Sequence, residues 1–168
     1  LVVTDISSIL KTKKLLYEFS EKENNSVIIT EIPENFPIIR IEKFKYELIL
    51  NNLISNAIKF TENGKISIHI HFRELKDDKI IFQTSIKDTG IGISKSKIKK
   101  IFNEFSQAEK NISENYGGSG LGLFIVKNII ENMGSEIHVH SEKGKGSHFY
   151  FDLIVEKEVK IGVSKKAL

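Results

Sequence analysis

The chain has 168 residues, 40% hydrophobic and 28% charged, enough for one globular domain with a core of its own. Its 25 basic and 22 acidic residues leave a net charge of +3, too balanced to argue for nucleic acid. With no cysteine it forms neither a disulfide nor a thiolate-bound metal centre, its longest apolar run is far short of a membrane span, and no secretory signal is expected.

In chain order, "LVVT" is a short apolar start. Asp5 caps a helix through roughly "ISSILKTKKLLYEFSEKE", with Ile6, Ile9, Leu10, Leu16 and Phe19 as its apolar residues. "SVIITEI" reads as a strand, "PENFP" as a turn and "IIRI" as a second strand. A helix is expected from about Glu42 to Phe60, ended by "TENG". "KISIHIHF" alternates, with Ile66, Ile68, Ile70 and Phe72 on one face; "ELKDDK" is a hairpin turn and "IIFQTSIKD" the returning strand. "SKSKIKKIFNEF" reads as a short helix capped by Ser94, and residues 106–119 as a polar loop ending in glycine. The helix "GLFIVKNIIENM" stops at Gly134, and "SEIHVHSE", "KGKG" and "SHFYFDLIVE" close the chain as a hairpin. Helices mixed with two hairpins predict an α+β, two-layer sandwich: a mixed, mostly antiparallel sheet with helices on one face.

Three stretches carry candidate chemistry. On "ELILNNLISNAIKF", Ile49, Leu53 and Phe60 form an apolar stripe, while Asn52, Asn56 and Lys59 share another face at spacings of four and three. A carboxamide oxygen suits a hard cation such as magnesium and a lysine one turn on suits phosphate; a solvated polar face has the same spacing. In "SIKDTGIGI", Phe82, Thr84 and Ile86 alternate and Asp88 continues their register, where another apolar residue is expected. A buried carboxylate needs donors, which the exocyclic amine of adenine offers and the carbonyl of guanine does not. Gly90 and Gly92 then let the backbone approach a ring; an ordinary Asp-Thr-Gly turn is the other reading. In "GGSGLGL", Gly118, Gly120 and Gly122 lead into a helix whose first amides and dipole attract phosphate, unless they only form a flexible loop.

Taken in order, "NNLISNAIKFTENG", "DTGIGI", "IFNEFSQ", "YGGSGLGL" and "GKGSHF" resemble the ATP-binding catalytic domain of sensor histidine kinases, a Bergerat-type ATP-binding fold shared with gyrase and related chaperones. The likeness runs from about residue 1 to 155, with 156–168 as a C-terminal tail or linker, and "FSQAE" and "NLISNAIKFT" look most like hybrid kinases. The resemblance implies that Asn56 coordinates Mg2+ on the ATP triphosphate, with Asn52 beside it, Lys59 on phosphate and Phe60 nearby. It implies that Asp88 binds the adenine amine with support from Ser147, and that Gly90, Gly92 and Ile93 shape the base pocket. It further implies that Phe102 and Phe105 anchor a lid over 106–119, and that Gly118, Ser119, Gly120, Leu121, Gly122 and Leu123 line the phosphate side. Asn52 stands where gyrase-like ATPases have a glutamate that activates water, so poor hydrolysis and transfer to a protein are expected.

Glu114 stands where many relatives have arginine, which leaves open a degenerate nucleotide-binding switch; a gyrase-type ATPase is the other alternative. His69, His71, His138, His140 and His148 all fall in predicted strands, so none reads as a phosphoacceptor, and their paired spacing fits a solvated sheet face better than zinc. The implied partners are a dimerisation and histidine phosphotransfer domain of the same parent protein and a response regulator or fused receiver domain. The domain itself is expected to be monomeric and cytoplasmic, without nucleic-acid or membrane contact, on a parent that is free or membrane-anchored.

Overall fold

The alternating run at residues 65–74 becomes an interior strand of a sheet, one in from its edge. The computed structural model describes residues 1–104 and 120–158, without the side chains of residues 16–24. Its strands are β1 (Val2–Thr4), β2 (Val27–Glu31), β3 (Ile39–Ile41), β4 (Lys65–Glu74), β5 (Lys79–Asp88), β6 (Ile137–Glu142) and β7 (Gly146–Lys157). Its helices are α1 (Ile6–Asn24), α2 (Lys43–Phe60), α3 (Lys95–Ile98) and α4 (Gly122–Asn132).

Among the described residues the strands form one sheet in the order β1-β3-β7-β5-β4-β2, with β6 also on β7. β7 is long enough to pair β6 through residues 146–151 and β3 at 156–157, while β5 runs along its other edge. Only β2 and β4 pair in parallel; every other ladder is antiparallel. The β4–β5 hairpin turns through Asp77 and Asp78, both at positive φ (57° and 54°), the combination that matches the twist of paired strands.

The two faces of the sheet differ as the alternation predicts. Ile66, Ile68 and Ile70 of β4, Ile80, Phe82, Thr84 and Ile86 of β5, and Phe149, Phe151 and Leu153 of β7 are buried. They pack against Ile6, Ile9 and Leu10 of α1, six residues of α2 from Tyr46 to Ala57, and Val126 and Ile130 of α4. Each such aliphatic side chain, fully buried, contributes about 1.5–3 kcal/mol. Tyr46 lies edge-on to Phe82 and Phe151, with ring centroids 5.9 and 6.4 Å apart, and its hydroxyl meets Thr84 Oγ1 at 2.9 Å. The opposite face carries His69, His71, Ser85, Lys87, His138, His140, His148 and Tyr150. The α+β, two-layer architecture is therefore as expected.

Local differences have local causes. α1 is capped as expected, Ser8 N donating to Asp5 Oδ1 at 3.2 Å; Leu16 and Phe19 lie outside the described side chains. The helix expected over "SKSKIKKIFNEF" is only Lys95–Ile98. Four lysines crowd six residues there, and Ser94 makes no side-chain cap; its hydroxyl meets Ser96 Oγ at 3.2 Å. Beyond Ile98 the chain turns, Lys100 N donating to Lys97 O and Asn103 N to Lys100 O. Phe60, expected in the α2 stripe, is only half-buried at the helix's last position, and the stripe is completed by Tyr46, Leu50, Ile54 and Ala57.

Candidate functional site

Asp88 ends β5 opposite Ile66 of β4, on the core face, and is 6% exposed. Its Oδ1 accepts the backbone N–H of Gly90 (2.9 Å) and of Ser147 (3.2 Å). No described residue donates to Oδ2. Burial raises the carboxyl above its ordinary value, and the two amides pull it partly back.

The loop after Asp88 is stitched to three other segments. Thr89 N donates to Lys65 O (3.1 Å), Ile91 N to Phe60 O (3.0 Å) and Ile93 N to Ser141 Oγ (2.8 Å), while Gly144 N donates to Ile91 O (2.7 Å). The contacts are close enough to forbid side chains. A Cβ on Gly90 would fall 2.0 Å from Phe60 O, and one on Gly92 (φ +63°) 2.0 Å from Glu142 O. These glycines are therefore required by the fold itself: α2 and the β6–β7 turn press their own carbonyls against the loop from both sides.

Asn52, Asn56 and Lys59 are half-buried rather than spread on a solvated face, since the start of α4 packs over α2. A Cβ on Gly122, the first residue of α4, would fall 2.7 Å from Asn52 Oδ1, whose carboxamide nitrogen donates to Leu48 O at 2.9 Å. The Asn56 side chain makes no hydrogen bond among the described residues. Lys59 Nζ lies 5.0 Å from the Phe60 ring centroid, and desolvation lowers its ammonium below the ordinary value. Gly120 (φ +71°) and Leu121 lead into α4, and no acidic residue occupies its first turn. Ile93, Phe102 and Leu123 pack on the core edge, Phe102 edge-on to Phe149 at 6.4 Å. The structure thus brings the Asp88 loop to the end of α2, and α2 to the start of α4. Phe105, Glu114, Gly118, Ser119 and the expected lid lie outside the described residues.

Residues 43–157 match the model of the histidine kinase-, DNA gyrase B- and HSP90-like ATPases. The chain belongs to that family. Among similar proteins, this ATPase-family chain is 39% identical over 126 residues to the signal transduction histidine-protein kinase BarA of Escherichia coli, covering 75% of the chain and 13% of BarA. It is 44% identical over 116 residues to the sensor histidine kinase GacS of Pseudomonas protegens, again covering 13% of that protein. The chain therefore spans a small part of these relatives. Its structure superimposes on full-length ShkA in complex with AMPPNP with a TM-score of 0.78 at 27% identity, over 95% of this chain and 32% of ShkA. The nucleotide-free catalytic domain of the histidine kinase ThkA gives 0.70 at 25%, over 93% and 95%.

In this ATPase-family frame the sequence left three residues unremarked. Gly146 (φ +97°) lets β7 pass over Asp88, its would-be Cβ 2.0 Å from Asp88 O. Ser141 holds Ile93, Gly146 and Ser147 together. Thr61 is buried behind Gly90, and its Oγ1 has no hydrogen-bond partner among the described residues. A second glycine in "KGKG" was a clue to the first; Ser141 and Thr61 read as ordinary strand-end and helix-end residues. The paired histidines lie on the open sheet face, and no metal-holding cluster of three or more His, Asp or Glu occurs among the described residues.

Proposed function

We propose that this chain binds Mg-ATP and delivers its γ-phosphoryl group to a histidine on a separate dimerisation domain of the parent protein. The carrying observation is Asp88: a buried carboxylate with two backbone donors on Oδ1 and none from the described residues on Oδ2. That oxygen presents an acceptor to the amine of adenine and would repel the carbonyl of guanine. Ser147 supports it, while Gly90, Gly92, Ile93 and Phe60 enclose the base from the loop and the end of α2. Relatives named as histidine kinases and a neighbour solved with AMPPNP support the same reading.

The phosphate side is the start of α4. Gly120, Leu121, Gly122 and Leu123 offer amides and the positive end of a helix dipole; the family resemblance adds Gly118 and Ser119, which lie outside the described residues. Lys59 supplies a cation whose desolvated ammonium regains its charge preference beside phosphate. Asn56, with a carboxamide oxygen not engaged by the described residues, suits a hard cation, and Asn52 lies one turn before it. Magnesium, when bound, neutralises triphosphate charge. In the transfer, the bond from γ-phosphorus to the bridging oxygen breaks, a bond to the acceptor imidazole nitrogen forms, ADP leaves, and the acceptor's ring proton passes to a base outside this chain. Asn52 cannot deprotonate water, so hydrolysis competes poorly. The chain's residues position and neutralise; they form no covalent intermediate.

On this reading the catalytic unit includes residues 156 and 157, which pair with β3 as the end of β7, and it works in the cytoplasm as a monomer, with a response regulator or fused receiver domain as its partner. No helix among the described residues is long and apolar enough to cross a membrane. Calorimetry with a non-hydrolysable ATP analogue, with and without magnesium, tests the binding, with heat and a magnesium-dependent gain expected. No heat at millimolar concentration refutes it. Labelled ATP and a supplied dimerisation domain then test the transfer.

A further inference from the structure

Ser141 is fully used. A hydroxyl has one proton to donate and two lone pairs to accept with, and among the described residues Ser141 Oγ has three hydrogen-bonding neighbours. Gly146 O lies 2.8 Å away, Ile93 N 2.8 Å and Ser147 Oγ 3.0 Å. A carbonyl oxygen can only accept, so the single Ser141 proton goes to Gly146. A backbone amide can only donate, so Ile93 takes one lone pair. The remaining contact therefore runs one way: Ser147 donates and Ser141 accepts. Ser147 is buried, and its own N–H is committed to Asp88 Oδ1.

We infer that Ser141 is a specificity-determining positioning residue: by holding the Ser147 hydroxyl proton, it leaves only acceptor lone pairs of Ser147 facing the base, which excludes 6-oxopurine nucleotides. This rests on the nucleotide reading above and adds a second acceptor to Asp88. Two acceptors suit an amine or a bridging water on the adenine edge. The carbonyl of hypoxanthine or guanine needs a donor, and a free Ser147 hydroxyl would rotate to supply one. Ser141 touches no substrate; it acts through Ser147.

The test is competition of ATP and ITP against a fluorescent ATP analogue on the whole chain. Wild type should prefer ATP. Ser141→Ala should tighten ITP about tenfold, the worth of one neutral hydrogen bond, while ATP moves by less than about threefold. Ser141→Thr should keep the wild-type ratio, and the Ser141→Ala/Ser147→Ala double variant should lose the ITP gain. A purely structural Ser141 would weaken both nucleotides together. Should Ser141→Ala fail to fold, Ser141→Cys keeps the volume with weaker hydrogen bonds and carries the same expectation. An unchanged ITP to ATP ratio in the folded variant, or a gain that survives in the double variant, overturns the inference while leaving ATP binding intact. A wild type that binds no ATP overturns the nucleotide reading itself.

Discussion

Ser147 donates its backbone N–H to Asp88 Oδ1 at 3.2 Å, joining two residues 59 positions apart in the chain. The carboxylate is thereby held at the seam where β5 ends and β7 begins. Replacing Asp88 by Asn removes a charged acceptor, and analogue binding should weaken by about 1.5–3 kcal/mol in calorimetry. Selectivity for ATP over GTP should fall with it. Equal ATP affinity in the variant would contradict the assignment.

The same carboxyl makes stability depend on pH. Its folded value is raised by burial, so between the ordinary carboxylate value and the raised one the folded state binds more protons than the unfolded. This contribution is fully present below about pH 4 and is lost as pH rises through the raised value. Thermal melts of wild type should show that decline, and Asp88→Asn should flatten it.

His148 works in the opposite sense. Its Nε2 meets Ser85 Oγ at 2.7 Å, and burial, then Lys87, His140 and His69, lower its value. The folded state therefore resists protonation, so this contribution is present above about pH 6.5 and lost as pH falls through the lowered value. His148→Gln should shift the acid limb of the melting profile toward lower pH. An unchanged limb would show that the open sheet face is not its origin.

Two glycines separate backbone strain from steric contact. Gly144 (φ +82°) has open space where a Cβ would point, whereas Gly146 (φ +97°) would drive one into Asp88 O. Gly144→Ala should cost about 1–2 kcal/mol in urea denaturation and Gly146→Ala about 3 kcal/mol or more, since strain and overpacking add. Equal costs would mean that β7 can move away from Asp88 freely.

Asn56→Ala should leave magnesium-free analogue binding nearly unchanged and remove the magnesium-dependent gain. Tyr46→Phe, remote from the nucleotide, should leave binding unchanged and cost about 1–3 kcal/mol of stability, because Thr84 Oγ1 loses its buried partner. Denaturant melts beside the titrations separate the two effects.

Much of this was legible because the patterns are local. The β4 and β5 alternation placed Ile66, Ile86 and Asp88 on the buried face, and Gly134 marked the end of α4 with a positive φ of 78°. The burial of Asp88 was legible for the same reason: a period-2 register continues to the strand's last residue. Gly90 and Gly92 were legible as tight positions, but their neighbours were not. Phe60 lies 30 residues before Gly90, and Glu142 50 residues after Gly92; no local rule pairs them.

Periodicity, capping and glycine placement act over a few residues, so the order of elements, the two faces of the sheet and the candidate polar groups were set within the sequence itself. The tertiary structure alone decided which of those groups meet. It set the pairing of β7 with three strands, the parallel β2–β4 ladder, the seating of Gly122 on Asn52 and the three-way hydroxyl of Ser141. Such contacts depend on hydrogen bonds and excluded volume between segments far apart in the chain, and these act only once the core has brought the segments together.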